Sequence, residues 1–410
     1  MILARRTVVG LGFGFCIALF LTARSLSKSW HTVPQSVGLG DLVGSPGANT
    51  STWSNVTVDG DKTLYAPRPN FVPGIPKPPG SNYSKTLVVP KTRSEDADWI
   101  AEELPDWDTA IYVPDDPKAA LHPPKNKGHE VMIYLTYIID FYHELPEVAV
   151  FMHSHRYAWH NDDIFDGDAA QILKHLSLDR VVREGYMNTR CSHGPGCPDW
   201  MHPGAFEEDE SKQEEVMLAR AWAELFPDEP VPSVLSQPCC AQFALSRDRI
   251  RSIPRARFVF YRDWLLRTDL SDYIAGRVWE YLWQYVFTGQ PVVCPDESVC
   301  LCDGYGVCFG GPDGYRKYRD LRSERDDFRD QEQSFDFLSE GLEKASENAE
   351  LDETMDLEIP QVGRKSKFDD LVAEKEKEVS DALEAAKERG KHPKNRAAEA
   401  GRPWKEGDSF

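Results

Sequence analysis

A chain of 410 residues could hold two ordinary domains, but its composition shifts so sharply along its length that one compact domain between long flanks fits better. The formal charge of −20 excludes an electrostatic footprint on nucleic acid, because phosphate binding needs clustered Lys and Arg and no such patch occurs.

Residues 7–23 form an uncharged, mostly apolar run preceded by Arg5 and Arg6 and followed by Arg24 and Lys28. A membrane span takes roughly 17–25 apolar residues, so the run predicts one transmembrane signal anchor, short enough to suit thin early-secretory membranes. A cleaved signal peptide is the alternative, with Ala23 before the cut and Leu21 a poor match for the small residue expected there. The anchor reading leaves residues 1–6 cytoplasmic. The flanking charges are nearly balanced, so orientation rests on the sequons and cysteines further along the chain. Three glycosylation sequons, at Asn49, Asn55 and Asn82, cluster after the run. Eight cysteines come later, from Cys191 to Cys308, and an even set in one region predicts disulfides in an oxidising compartment. A zinc site is the competing reading, but no C-x-x-C pair is present. Together these features predict a type II topology in the endoplasmic reticulum or Golgi, with the globular part lumenal.

Residues 24–85 are rich in Ser, Thr, Pro and Gly and predict an extended, disordered, N-glycosylated stem. Residues 86–310 are the globular domain. Thr86–Pro90, Ile111–Val113 and Val148–Met152 are short apolar runs with β-branched residues, each reading as a buried strand. Between the last two, residues 130–145 are apolar over most of a helical circumference. Strands alternating with helices predict an α/β fold with a mostly parallel sheet flanked by helices and a disulfide-bonded C-terminal part. Residues 311–410 read as a charged, mostly disordered tail with one helix near 367–389.

In an open α/β sheet, ligands bind outside the carboxyl ends of the strands. There the third strand runs into His153 to Asp163, where His160, Asp162 and Asp163 supply ligands suited to Mg²⁺ or Mn²⁺, the ions that bridge diphosphates. Two alternatives stand beside this: Asp163 or Asp168 caps a following helix, or His153 and His155 form a transition-metal site. Asn126, Gly128 and Glu130 precede and open the long helix, where backbone amides can approach a phosphate. A glutamate in a first helical turn is also favoured by the macrodipole alone. Further on, residues 272–289 form an amphipathic helix, with Glu280 between Trp279 and Trp283 as a base beside a sugar-stacking surface. The competing reading is an ordinary ion pair with Arg277.

Glu95 to Ile100, Asn126 to Glu130 leading into Tyr134 to Ile138, His153 to Asp163, Cys239 to Arg247 and Glu280 to Trp283 together resemble a mostly fungal family known as domain-of-unknown-function family 3431. The likeness covers about residues 86–308. Where that family commonly has Arg before the helix glutamate, this chain has His129. More loosely, the acidic cluster after a buried strand and the late Ser-Arg followed by a Glu-containing aromatic helix resemble nucleotide-sugar glycosyltransferases of the GT-A type, a Rossmann-like fold. That resemblance implies a nucleotide-sugar donor, a glycan or protein acceptor, a metal-diphosphate at Asp162 and Asp163, Glu280 as base and Arg247 assisting an anionic group. A non-catalytic lumenal scaffold and a His/Asp metal-dependent hydrolase are the competing expectations.

Overall fold

The computed structural model describes residues 71–347 and 364–408. The apolar run 7–23, the sequons at Asn49 and Asn55, the stem up to residue 70 and the acidic stretch 348–363 lie outside the described residues. Among the described residues, no helix is long and apolar enough to cross a membrane. Asn82 is exposed, as an acceptor must be.

Five strands form one sheet: β1 (Lys85–Pro90), β2 (Asp108–Tyr112), β3 (Val148–Phe151), β4 (Tyr186–Asn188) and β5 (Phe243–Ser246), in the order β2-β1-β3-β5-β4. The β1–β2 and β1–β3 ladders are parallel, and β3–β5 and β4–β5 are antiparallel. The sheet is therefore mixed rather than mostly parallel. The cause is the path of residues 189–242. They leave β4 at Asn188 and re-enter at Phe243, its register partner, on the same rim. A parallel strand would have required the chain to cross to the other rim first.

Around the sheet run α1 (Asp98–Glu103), α2 (Glu130–Asp140), α3 (Ala169–His175), α4 (Leu178–Glu184), α5 (Glu215–Leu225), α6 (Arg247–Arg251) and α7 (Arg255–Arg267). The chain continues through α8 (Asp272–Glu280), α9 (Trp283–Thr288), α10 (Glu297–Tyr305), α11 (Pro312–Glu347), α12 (Arg364–Gly390) and α13 (Pro393–Glu399). Strand periodicity sorts the core into two layers. Val88, Ala149, Phe151, Phe243 and Leu245 face a cluster built with α2, α5, α7, α8 and α9. Leu87, Val89, Val148, Val150 and Ala244 face a second one, with α3, α10 and the start of α11. Tyr134 of α2 packs edge-on against Phe151 and Phe243, which fixes α2 across the sheet.

Three departures from the sequence reading bear on the site. The expected helix 272–289 breaks at Tyr281 and Leu282, leaving Glu280 as the last residue of α8. Part of the expected stem belongs to the fold. Phe71 lies under the Arg249 guanidinium, Gly74 donates to the Arg183 carbonyl, and Tyr83 donates to Asp179. In the tail, α12 contains the helix expected near 367–389, and Pro312–Glu347 adds a second long helix packed against it. Arg, Lys, Glu, Gln and Leu recur along α11 and favour a helix, and its first turns bury Tyr315 and Tyr318.

Disulfides Cys191–Cys300 and Cys197–Cys294 tie the loop after β4 to the region around α10, while Cys302–Cys308 and the adjacent pair Cys239–Cys240 close short rings. A cross-link between residues about 100 apart stabilises by about 4–5 kcal/mol on the chain-entropy account, so the first two hold the loops of the carboxyl rim in place.

Candidate functional site

β1, β2 and β3 point the same way, and their carboxyl ends open onto a two-lobed cleft. One lobe, of 300 Å³, lies over the ends of β1 and β3 and is lined by Lys91, Glu95, Asn126, His155 and Asp272. The other, of 450 Å³, is lined by Trp159, Trp200, Cys239, Cys240, Tyr273 and Glu280. His129, Glu130, His153 and His160 line both, so the two are halves of one site. Ligand sites commonly measure about 300–1,000 Å³, and the topology places this one where open sheets bind ligands.

Glu130 sits at the junction, in the first turn of α2 with its side chain 16% exposed. Burial pushes its carboxyl up to about 8, and the charges of Glu280 and Asp272 push the same way. Across from it, burial and the neighbouring histidines push the His153 imidazole down to about 3. The Glu130 Oε2 to His153 Nε2 distance is 4.0 Å, too long for a hydrogen bond. At neutral pH the junction thus holds a protonated carboxyl beside a neutral imidazole. The His160 ring meets that of His153 edge-on at 4.9 Å, and its buried Nδ1 has no hydrogen-bond partner among the described residues. Buried Gln242, just before β5, fixes both histidine backbones: its Oε1 accepts from the His153 amide at 3.0 Å, and its Nε2 donates to the His160 carbonyl at 3.3 Å.

Glu280 faces the second lobe from the end of α8. Its Oε1 accepts from the Cys240 amide at 2.7 Å, and burial pushes its carboxyl up. The carbonyl end of the helix dipole acts in the same direction. Arg277, one turn back, does not pair with Glu280. Its guanidinium makes a two-pronged bridge to buried Glu214 at 2.7 and 3.0 Å, and also donates to the Ser211 carbonyl and the Tyr273 hydroxyl. Gly276 is required on the same helix, because a Cβ there would lie 2.7 Å from the His129 ring.

The remaining sequence candidates lie elsewhere. Asp162 is 1% exposed, and its oxygens accept from the amides of Ile164, Cys191 and Ser192 and from the Ser192 hydroxyl. It staples the loop after β3 to the loop after β4. Asp163 faces a separate cavity and bridges to Arg319 at 2.7 Å and Arg322 at 3.3 Å. Burial would raise its carboxyl, but those two arginines hold it below the usual carboxylate range. Asp168 caps α3. Arg247 follows β5, and because β5 is reversed it emerges on the opposite rim, 3.7 Å from Glu147 just ahead of β3. The structure therefore brings Asn126, Glu130, His160 and Glu280 into one cleft and leaves Asp162, Asp163 and Arg247 out of it.

Gly128 adopts φ +72°, and a Cβ on it would meet Leu265 at 2.7 Å. Its amide donates to the Asp272 carboxylate and is thereby spent. Sequence reasoning missed Lys91, a half-buried cation with no ion pair among the described residues, together with Trp159, Tyr273 and the Cys239–Cys240 ring. The adjacent cysteines were the one visible signal, since a pair next to each other in sequence marks a backbone kept in one shape.

For a metal, the tight three-ligand groups among the described residues are Cys239–Cys240–Glu280 and Cys302–Cys308–Glu399, and in both the sulfurs are spent in disulfides. The donors expected at Asp162 and Asp163 are likewise taken by protein partners, so that pair does not fit a divalent ion.

The model of a family described as "Protein of unknown function (DUF3431)" matches residues 87–303, more than half of the chain, and the chain belongs to that family. No curated protein and no solved structure matches it.

Proposed function

We propose that this chain is a glycosyltransferase-like enzyme of the secretory pathway. It is held as a type II protein in an endoplasmic reticulum or Golgi membrane by residues 7–23, with the α/β domain lumenal, and moves a sugar from a nucleotide-sugar donor to a glycan or protein acceptor. The observation that carries this reading is the two-lobed cleft at the carboxyl rim, in which two carboxyls pushed up by burial stand together, Glu130 at the junction of the lobes and Glu280 in the second. Four disulfides support an oxidising compartment.

In this reading the lobe with Lys91 and Asn126 takes the donor, the Lys91 ammonium meeting its diphosphate. Glu280, a stronger base for its raised pKa, takes the proton of the acceptor hydroxyl as that oxygen bonds to the anomeric carbon. The bond from the anomeric carbon to the phosphate oxygen breaks, and the nucleoside diphosphate leaves. Glu130, protonated at neutral pH, donates a hydrogen bond to the departing oxygen. The Mn²⁺ or Mg²⁺ expected at Asp162 and Asp163 has no place in these steps, because the oxygens of both are engaged by protein donors.

The test is nucleoside diphosphate release by the full-length chain in detergent, over a panel of nucleotide sugars, with glycan or protein acceptors. Turnover with one donor is expected, falling about 100-fold or more in Glu280→Gln, whose thermal midpoint stays put because the amide oxygen still accepts from Cys240. Wild-type turnover in both folded Glu280→Gln and folded Glu130→Gln contradicts the reading. A second reading, hydrolysis of a glycoside between the same two carboxyls, is favoured by Glu130 keeping its proton at neutral pH, as a general acid must. Release of reducing sugar from a glycan without any nucleotide donor selects it.

A further inference from the structure

The two lobes differ in lining, and the difference assigns a ligand to the second. Among the described residues its single Lys or Arg is Arg277, whose guanidinium is saturated by Glu214, the Ser211 carbonyl and the Tyr273 hydroxyl. The cations beside its rings are committed as well: Lys212, over the Trp200 ring at 4.3 Å, donates to the Trp200 carbonyl, and Arg190, near Trp159, donates to the Trp159 and Gly194 carbonyls. The lobe instead presents flat apolar surface. Trp159 is 66% exposed and Tyr273 46% exposed, which is unusual for such large rings and has no core-packing purpose. Trp200, with Lys212 over one face of its ring, and the Cys239–Cys240 ring lie beside them.

Rigid supports hold these surfaces. Trp159 lies over the His160 ring at 4.3 Å, and Arg190, which approaches its face at 5.9 Å, also donates to its carbonyl. Tyr273 is held through its hydroxyl by Arg277 at 2.9 Å, and meets His129 edge-on. Aromatic surface flanking the Glu280 carboxylate, with Glu130 at the junction behind it, matches the chemistry of a pyranose ring. Such a ring has one face of C–H groups that stacks on an indole or phenol, and an edge of hydroxyls that one acceptor can orient.

We infer that the lobe lined by Trp159, Trp200, Tyr273 and the Cys239–Cys240 ring is the acceptor subsite, and that it takes a neutral pyranoside unit of a glycan, with one hydroxyl directed at the free oxygen of Glu280. The inference rests on the transfer reading for the word acceptor, but the binding it asserts is measurable without turnover. A protein acceptor would reach Glu280 through a serine, threonine or asparagine side chain and would leave the aromatic surfaces uncovered.

The experiment is an equilibrium titration of the full-length chain in detergent with neutral oligosaccharides of glucose, mannose and galactose, and with their uronic and sialylated counterparts, read by tryptophan fluorescence and thermal shift. A neutral oligosaccharide is expected to bind, and the acidic counterpart to bind at least tenfold more weakly. Trp159→Ala and Tyr273→Ala remove exposed side chains, so both fold, and each is expected to weaken that binding tenfold or more. In turnover, the same variants raise the acceptor KM more than the donor KM. Unchanged glycan affinity in both variants, preference for the acidic sugars, or no binding by any member of the panel overturns the assignment. Glycan binding lost in the variants while no nucleotide sugar is ever turned over overturns the transfer reading and leaves the pyranoside subsite standing. Turnover on a polypeptide free of glycan does the reverse.

Discussion

Two acidic centres flank the carboxyl rim, and they have opposite fates. Asp162 and Asp163 were the conspicuous pair in the sequence, yet four protein donors converge on one and two arginines on the other. Glu130 and Glu280 lie 150 residues apart in sequence and meet in a cleft where Glu280 has one protein donor on one oxygen; burial pushes both carboxyls up, as it does that of Asp162, so the difference lies in the partners. Spare hydrogen-bonding capacity in a shared cavity, rather than the local density of acids, marks a carboxyl that is available for chemistry.

The contrast can be broken at either centre. The largest effect on stability is expected at Asp162. Asp162→Ala leaves the amides of Ile164, Cys191 and Ser192 without their acceptor in a buried loop, at about 1–3 kcal/mol for each group that stays dry. A loss of about 3 kcal/mol or more is expected in chemical denaturation. A loss below about 1 kcal/mol would mean that the carboxylate is not the staple described.

Next in size is a pH effect at the cleft. Glu130 binds its proton more tightly in the folded chain than in the unfolded one, so stability falls as pH rises from its ordinary value near 4.5 towards about 8, by at most about 1.4 kcal/mol per unit. His153 acts in the other direction: its folded value is depressed, so it costs stability as pH falls from about 6.5 towards 3. The two slopes oppose each other between about 4.5 and 6.5. Of these two groups, only the glutamate contributes a slope between about 6.5 and 8. Denaturation curves at about pH 6.5 and 8 are expected to show a decline in the wild type that Glu130→Gln lacks, and the same decline in both would place the titrating group elsewhere.

The smallest effect is expected at Asp163, whose bridges reach partly exposed arginines. Asp163→Asn is expected to cost about 1 kcal/mol or less, measured by the same denaturation. A larger loss would make α11 a structural dependant of that one carboxylate.

The sequence exposed the strand runs and the α/β class because period and composition are local. Thr86–Pro90 and Val148–Met152 differ from β1 and β3 by one residue at one end. Strand direction was not legible. Nothing in Phe243–Ser246 records that residues 189–242 return on the rim they left, and that single reversal carries Arg247 away from the cleft. Asp163 shows the same limit in chemistry, for its partners Arg319 and Arg322 lie 156 and 159 residues later and no spacing rule links them. Gly128 was read as a phosphate approach from its place before a helix, but its amide is committed to Asp272, 144 residues on. Glu280 was found for a local reason, a carboxylate between two tryptophans. Those rings, however, turn into the core, and the aromatic surface beside the acid comes from Trp159, Trp200 and Tyr273.

The most direct measurement sets turnover of the selected nucleotide sugar by Glu280→Gln beside that of Asp163→Asn, both verified as folded. The account predicts a loss of about 100-fold or more in the first and a rate within about twofold of wild type in the second. Loss of turnover in Asp163→Asn with Glu280→Gln still active would move the chemistry to the aspartate pair and contradict the account.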